Sequence, residues 1–216
     1  MKILVIIPAR KGSKRLKRKN ILKLGNKPLA QITMEFAKKI KGIFDIIVST
    51  DDIEVKKLAK KLKIKAPFDR PAFLSGDKAS TSAACLHAIN FYEKNYQSID
   101  AILLLQPTSP FRSFKSIDDA IKIIKKEKSK SLVSVSKFEL KPLTIIEKNK
   151  NHNSYLLKKP KKLFEINGNF YLIDKTLFLR KKKFFLKDTI LFPLKEFKES
   201  IDIDNLNDFK IAKAFL

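Results

Sequence analysis

Ile3-Leu4-Val5-Ile6-Ile7-Pro8-Ala9-Arg10-Lys11-Gly12-Ser13-Lys14-Arg15-Leu16-Lys17-Arg18-Lys19-Asn20 is the stretch whose reading decides the fold. Ile3 to Ile7 is an unbroken aliphatic run, too short for an ordinary helix and apolar on both faces, as a strand buried inside a parallel sheet requires. Pro8 ends it. The loop that follows is dense in Arg and Lys, with Gly12 and the small Ser13 allowing close approach of backbone to a ligand, so it suits phosphate. It is not a P-loop of the G-x-x-x-x-G-K-[ST] kind, because Gly12 is its only glycine.

Outward from this stretch, strand and helix patterns alternate. Leu29, Ile32, Phe36 and Ile40 recur at helical spacing between Pro28 and Lys41, and Phe44 to Thr50 reads as a second strand. Asp51 or Asp52 caps a helix whose apolar face is Val55, Leu58, Ala59 and Leu62. A loop containing Gly76 and Ser80 leads into a helix from about Thr81 to Tyr92, and Ala101 to Leu105 is a third buried strand. Ser116 is placed to cap a helix running to Glu127, and Leu132 to Ser136 is the next strand. This alternation predicts a three-layer α/β/α domain with a mostly parallel, Rossmann-like sheet and a ligand site at the carboxyl ends of its strands. One domain of 216 residues fits the length. From about 137 to 165 the pattern loosens into a basic excursion.

Composition narrows the function classes. Hydrophobic residues make up 44%, which is globular rather than disordered. There is no apolar run of membrane-spanning length and no signal-peptide pattern after Met1-Lys2, so a cytoplasmic protein with no membrane partner is expected. Cys85 is the only cysteine, which excludes a disulfide framework and a thiolate zinc site, and it reads as a small core residue. His87 and His152 lack metal-ligand spacing. The net charge of +25 raises a nucleic-acid-binding reading, but the lysines are dispersed in doublets on outward helix faces, and no RNA-binding aromatic motif, zinc finger or basic zipper accompanies them. Nucleic acid is therefore not the expected partner.

Two further segments carry chemistry. Gln106-Pro107-Thr108-Ser109-Pro110-Phe111-Arg112 follows the third strand, and its two prolines hold Gln106, Thr108 and Ser109 with little entropy left to lose on binding. Arg112 is open between a pocket wall and a helix-capping or salt-bridged arginine. In Ile201-Asp202-Ile203-Asp204, an extended backbone turns Asp202 and Asp204 to one face and the isoleucines to the other. Paired carboxylates of this kind suit Mg²⁺ bound jointly with substrate phosphates, while Asp204 or Asn205 is also placed to cap the last helix.

The string Pro8-Ala9-Arg10-x-Gly12-Ser13-Lys14, ending in Lys19-Asn20 and followed by Gly25-Asn26-Lys27-Pro28-Leu29, resembles the nucleotide-binding loop of the acylneuraminate cytidylyltransferases. The same family is matched by Arg70-Pro71-x-x-Leu74-x-x-Asp77-x-Ala79-Ser80, by Leu104-Leu105-Gln106-Pro107-Thr108-Ser109-Pro110-x-Arg112, and by Asn167-Gly168-x-x-Tyr171. The resemblance spans nearly the whole chain. It implies transfer of CMP from CTP to a sialic-acid-like nine-carbon 2-keto sugar, with Mg²⁺ as cofactor and a homodimer formed through the 137 to 165 extension. It further implies nucleotide contacts for Ala9, Arg10, Gly12, Ser13, Lys19, Asn20, Arg70, Asp77 and Ser80. Sugar contacts are implied for Thr81, Gln106, Thr108, Ser109, Arg112 and Tyr171. Arg10, Lys19, Asp202 and Asp204 are the expected catalytic set, the two aspartates as metal ligands. The chain departs from the family where Leu156 and Leu157 stand in place of the Arg-Gln pair that usually precedes the proline, here Pro160. That departure bears on how the acid sugar is gripped, and the related acids (pseudaminic, legionaminic and Kdo) are the alternative substrates.

Overall fold

The computed structural model describes residues 1–76, 79–127, 130–139, 146–148, 154–156 and 162–216. Strand β1 (Ile3–Pro8) leads through a short 3-10 turn at Lys19–Ile21 to the small hairpin β2 (Lys23–Leu24) and β3 (Lys27–Pro28). Then come α1 (Leu29–Lys39), β4 (Asp45–Ser49), α2 (Ile53–Lys61), α3 (Ala72–Ser75), α4 (Thr81–Asn95), β5 (Ala101–Leu104) and α5 (Phe114–Lys126). The second half comprises β6 (Ser131–Glu139), the hairpin β7 (Ile146–Lys148) and β8 (Ser154–Leu156), β9 (Lys162–Asp174), α6 (Lys175–Lys181), β10 (Ile190–Pro193), a 3-10 turn at Phe197–Ser200 and α7 (Leu206–Lys213).

The central sheet has the order β10-β6-β9-β5-β1-β4. β1 pairs in parallel with β4 and β5, and β10 in parallel with β6, while β9 runs antiparallel to both of its neighbours. As the alternating pattern predicts, the sheet is mostly parallel. Residues 3 to 7 are all fully buried because β1 lies inside the sheet with helices on both faces. Period-two alternation sends Ile3, Val5 and Ile7 into one cluster with Met34 of α1, Val55 of α2 and Ile121 of α5. Leu4 and Ile6 enter the other, with Cys85 and Ile89 of α4 and Phe178 of α6. A third cluster joins α7 to the β2/β3 hairpin through Leu24, Leu29, Ile201, Ile203 and Phe209.

Local chemistry settles the caps. Asp52, not Asp51, caps α2, its carboxylate accepting from the Glu54 N–H at 2.9 Å. α5 starts earlier than the sequence suggests: Ser113 is its cap and accepts from the Ser116 N–H, so Ser116 lies inside the first turn. Glu199, buried under this end, takes the Ser113 N–H at 3.1 Å and the Ser116 hydroxyl at 3.2 Å. Cys85 is fully buried, and burial pushes its thiol up to about 12, as suits an inert core residue. His87 packs edge-on against Phe68, ring centroids 4.7 Å apart. Among the described residues no helix is long and apolar enough to cross a membrane.

Most of the 137 to 165 excursion, with His152 and Leu157, lies outside the described residues. Its two ends are described as backbone: β6 and β9 continue past the end of β5 as a two-stranded ribbon, pairing Val135 with Ile166 through to Glu139 with Lys162. The pairing jumps from Val133 opposite Tyr171 to Val135 opposite Ile166. β9 therefore carries extra residues at Asn167 to Phe170 that bulge toward the carboxyl end of the sheet, beside the cavity described next.

Candidate active site

The carboxyl ends of β1 and β5 and the bulge of β9 border a polar cavity of about 420 Å³. One wall is the cationic loop. Its root is anchored to the turn after β4: the Thr50 hydroxyl donates to the Ala9 carbonyl at 2.5 Å, and the Lys11 N–H donates to Asp51 at 2.8 Å. Buried Asn20 closes the loop from the other end, its amide nitrogen donating to the Arg10 carbonyl at 2.7 Å. Arg10 spans to the opposite wall and donates to the Gly76 carbonyl at 2.7 Å. Arg10, Ser13, Lys19 and Asn20 all line the cavity.

The second wall comes from the 70 to 84 segment. Arg70 is buried and donates through Nε to the Ser49 hydroxyl at 3.0 Å and through Nη2 to the Ser49 carbonyl, tying this wall to the end of β4. Burial lowers its pKa, opposed by the charge of Asp51. Ser80 caps α4 by accepting the Ala83 N–H at 3.1 Å, and Ser80 and Thr81 face the cavity at that helix start. Asp77, expected here, lies outside the described residues.

Gln106, Thr108 and Tyr171 form the floor, and Asp202 and Asp204 close the remaining side. The segment bearing the aspartates alternates as its sequence implies, with Ile201 and Ile203 buried in the third cluster. The Ile203 N–H donates to the Thr108 carbonyl at 2.8 Å, fixing the two aspartates against the proline-bounded loop. Asn205 rather than Asp204 caps α7, accepting from the N–H groups of Asn207 and Asp208. Asp208 reciprocates by taking the N–H groups of Asp204 and Asn205, which leaves the Asp204 carboxylate to the cavity.

The two carboxylates are electrostatically unlike. Burial pushes the Asp202 carboxyl up and nearby Asp204 adds to this, against hydrogen bonding from Thr108 and Ser109 and the charge of Lys19. Burial also pushes Asp204 up, but it is outweighed by Lys19, whose Nζ lies 2.8 Å from Oδ1, and by Arg15, whose Nη2 lies 2.7 Å from Oδ2, so Asp204 is held below the usual carboxylate range. A stability consequence follows for Asp202. Its folded pKa lies above the unfolded value, so the folded state loses stability as pH rises through that window. Asp202→Asn is therefore expected to raise the thermal midpoint at neutral pH and to match wild type below the ordinary aspartate pKa of about 4. Melting curves at the two pH values check this; an equal gain at both would trace it to packing instead.

Four expected contact residues stand back from this cavity. Ala9 is fully buried beneath the loop, and Gly12 is not among the lining residues, the nearest atom to an added Cβ being the Ser75 carbonyl oxygen at 3.8 Å. That is ordinary contact with the protein's own atoms. Ser109 is buried behind Asp202, its hydroxyl 3.4 Å from Oδ1. Among the described residues Arg112 neither caps a helix nor forms a salt bridge. It is a brace, donating to the carbonyls of Asn169 at 2.9 Å and Gln106 and to the Thr33 hydroxyl at 3.2 Å. Burial lowers its pKa, opposed by the charge of Asp202.

Arg112 thus ties the Gln106 loop to the β9 bulge, which a buried polar network also holds. Asn167 accepts from the Ser134 hydroxyl at 2.7 Å and donates to Ser136 at 2.9 Å, while the Asn169 amide donates to the carbonyls of Phe111 and Glu199 at 2.8 and 2.6 Å. Between them Gly168 has φ +74°, and a Cβ there would lie 3.0 Å from Gln106 Oε1 and 3.3 Å from Asp202 Oδ2. Gly168 is a site residue the sequence reading left inside its motif, although glycine in a strand pattern is itself a sign of close approach. Arg15 was hidden among equally basic neighbours. Beside the main cavity, sharing Thr81, Gln106 and Tyr171 with it, opens a more apolar one of about 290 Å³ lined also by Leu104, Phe184 and Phe185. The phenylalanines sit in a lysine-rich stretch with no periodicity to mark them.

Asp202 and Asp204 are hard oxygen donors converging on one cavity, and the cost of holding both ionised is one a divalent cation would relieve. Among the described residues no group of three or more His, Cys, Asp or Glu is placed to hold a metal. Two carboxylates by themselves would suit an ion such as Mg²⁺, which takes its other ligands from water and substrate phosphates.

The chain is 32% identical over 227 residues to a CMP-N,N'-diacetyllegionaminic acid synthase of Legionella pneumophila, the match covering 100% of this chain and 97% of that one. It is 33% identical to a pseudaminic acid cytidylyltransferase of Campylobacter jejuni, covering 99% and 95%, and 34% identical to an N-acylneuraminate cytidylyltransferase of Escherichia coli, covering 98% and 51%. In fold it matches a 4-diphosphocytidyl-2C-methyl-D-erythritol synthase of Anaerococcus prevotii with a TM-score of 0.73 at 16% identity, over 99% of this chain and 97% of that one. The family model described as cytidylyltransferase matches residues 4–215, and this nucleotidyltransferase-type chain belongs to the cytidylyltransferase family.

Proposed function

We propose that this protein transfers CMP from CTP to a sialic-acid-like nine-carbon 2-keto acid sugar and releases pyrophosphate. The observation that carries the proposal is the convergence of Arg10, Lys19 and Arg70 with Asp202 and Asp204 on a single cavity. In this reading the cationic loop receives the triphosphate. The fixed polar groups Gln106 and Thr108, with Tyr171, orient the sugar so that its anomeric hydroxyl attacks the α-phosphorus in line. Arg10 and Lys19 neutralise the charge that develops on the departing pyrophosphate, and no side chain becomes covalently attached. Asp202 and Asp204 would hold Mg²⁺, whose chemistry when bound is charge neutralisation on the phosphates. Ser109 and Arg112 act by holding Asp202 and the Gln106 loop in place.

The relatives of nearly equal length carry the names of legionaminic and pseudaminic acids. The apolar cavity walled by Phe184 and Phe185 suits an acyl or deoxy substituent on such a sugar. Pyrophosphate release from CTP and Mg²⁺, measured with N-acetylneuraminic, N,N'-diacetyllegionaminic and pseudaminic acids in turn, tests the reaction and ranks the sugars. Release with none of the three would sink the proposal. A homodimer is part of the same reading: Leu163, Phe164 and Ile166 on the projecting ribbon are about 40% exposed, which favours a covering partner. Sedimentation of a species at the 24.9 kDa chain mass alone would contradict it.

A further inference from the structure

Arg15 has no part in the reaction outlined above, yet it occupies one oxygen of a carboxylate central to it. Its Nη2 donates to Asp204 Oδ2 at 2.7 Å while Lys19 Nζ donates to Oδ1 at 2.8 Å, so a cation sits on each oxygen. The two cations differ in how firmly they are held. The Lys19 side chain is 12% exposed and belongs to the cavity wall, whereas that of Arg15 is 69% exposed. Arg15 also borders a second cavity of about 430 Å³ that shares Asp202 and Asp204 with the first. An exposed ion pair is worth little and exchanges readily, whereas a half-buried one is retained.

These charges set an order of events. A divalent cation reaching Asp204 by itself meets two positive groups within bonding distance of its ligand atoms, and repulsion opposes it. A triphosphate brings charge of the opposite sign, and a guanidinium fork matches phosphate oxygens well. We propose that Arg15 guards the metal site: it covers Asp204 in the nucleotide-free protein and moves to the phosphates when nucleotide enters, so that divalent metal and CTP bind as a coupled pair. The inference rests on the reading of Asp202 and Asp204 as metal ligands. Removing the guard takes a positive charge off Asp204 and a donor away from the phosphates, so it strengthens metal binding in the nucleotide-free protein and weakens nucleotide binding without metal. The coupling between metal and nucleotide falls by the same factor from whichever side it is measured.

Mn²⁺ is the probe, its free concentration read from the electron paramagnetic resonance signal. Nucleotide-free Arg15→Met is expected to bind Mn²⁺ about tenfold more tightly than wild type, a size typical of coupled sites. The same variant should bind CTP in the absence of metal more weakly by calorimetry. Arg15→Lys, which keeps the charge, should stay near wild type in both. Asp204→Asn in the presence of CTP separates the two ways of failing. If it loses protein-bound Mn²⁺ while nucleotide-free Arg15→Met and wild type bind Mn²⁺ equally, the guard is wrong and the metal site stands. If it retains Mn²⁺ like wild type, the metal site is wrong and the guard falls with it.

Discussion

Replacing Lys19 with alanine is expected to lower turnover at saturating CTP by about a hundredfold or more, the size seen when one fixed transition-state donor is lost. The lysine is well suited to carry so large an effect. Its ammonium is held at 2.8 Å from Asp204 in a largely enclosed wall, so it needs little reorganisation when charge develops on the pyrophosphate. The fold should survive, because Arg15 still pairs with Asp204 and the loop keeps its anchors at Thr50, Asp51 and Asn20. A pH signature accompanies the loss. Asp204 has a folded pKa below its unfolded value, so it contributes stability above the unfolded pKa that disappears as pH falls through the folded one. Without Lys19 that contribution shrinks, and acid should cost the variant less stability than wild type between these two values. Wild-type turnover in Lys19→Ala would remove the residue from the mechanism; a melting profile with unchanged acid sensitivity would contradict the electrostatic account of Asp204.

Gly168→Ala should be the next most damaging change, through geometry alone. A left-handed backbone costs a residue with a Cβ about 1–2 kcal/mol, and the new methyl would stand 3.0 Å from Gln106 Oε1 and 3.3 Å from Asp202 Oδ2. With a total near 2 kcal/mol, a chain of this length should melt about 4–8 °C lower. The larger effect is on catalysis. The groups that must yield are the sugar-facing amide and a proposed metal ligand, and a displacement of even about 1 Å at reacting groups costs on the order of a hundredfold in rate. Gly42→Ala is an informative comparison: it has φ +77° with open space around it, so it should show the backbone penalty without the loss of rate. Equal turnover in both variants would separate Gly168 from the site.

Much of this arrangement was legible before any coordinates. β1 announces itself because a five-residue aliphatic run has no reason to exist outside a doubly covered sheet, and the Ile201 to Asp204 alternation points its carboxylates correctly because an extended chain has only two sides. What the sequence conceals is which of several equivalent groups does a job. Ser113 and Ser116 are both competent caps, and only the buried carboxylate of Glu199, 83 residues beyond Ser116, shows how that helix start is completed. Arg112 reads from the sequence as either a pocket wall or a helix-capping or salt-bridged arginine. Its partners are the carbonyl of Gln106 in its own loop, the Thr33 hydroxyl, and the Asn169 carbonyl brought in by the β9 bulge, a long-range feature with no local signature. Gly12 and Gly168 invert the same lesson. A Cβ on the glycine of the phosphate-like loop would meet no protein atom closer than 3.8 Å, whereas one on the glycine inside the strand would come within 3.0 Å of Gln106 Oε1.

Strand β9 links the projecting ribbon to the cavity. It runs unbroken from Lys162 to Asp174, with solvent-facing apolar residues at one end and Gly168 and Tyr171 against the cavity further along. Ile166 belongs to both regions, exposed on the ribbon and bordering the cavity. The bulge between them is clamped by Ser134, Asn167, Asn169 and Arg112. The strand thus has two arms that meet at Asn167 to Asn169. In the reading proposed above, a partner covering the outer arm would lie on the same strand as the residues that face the sugar.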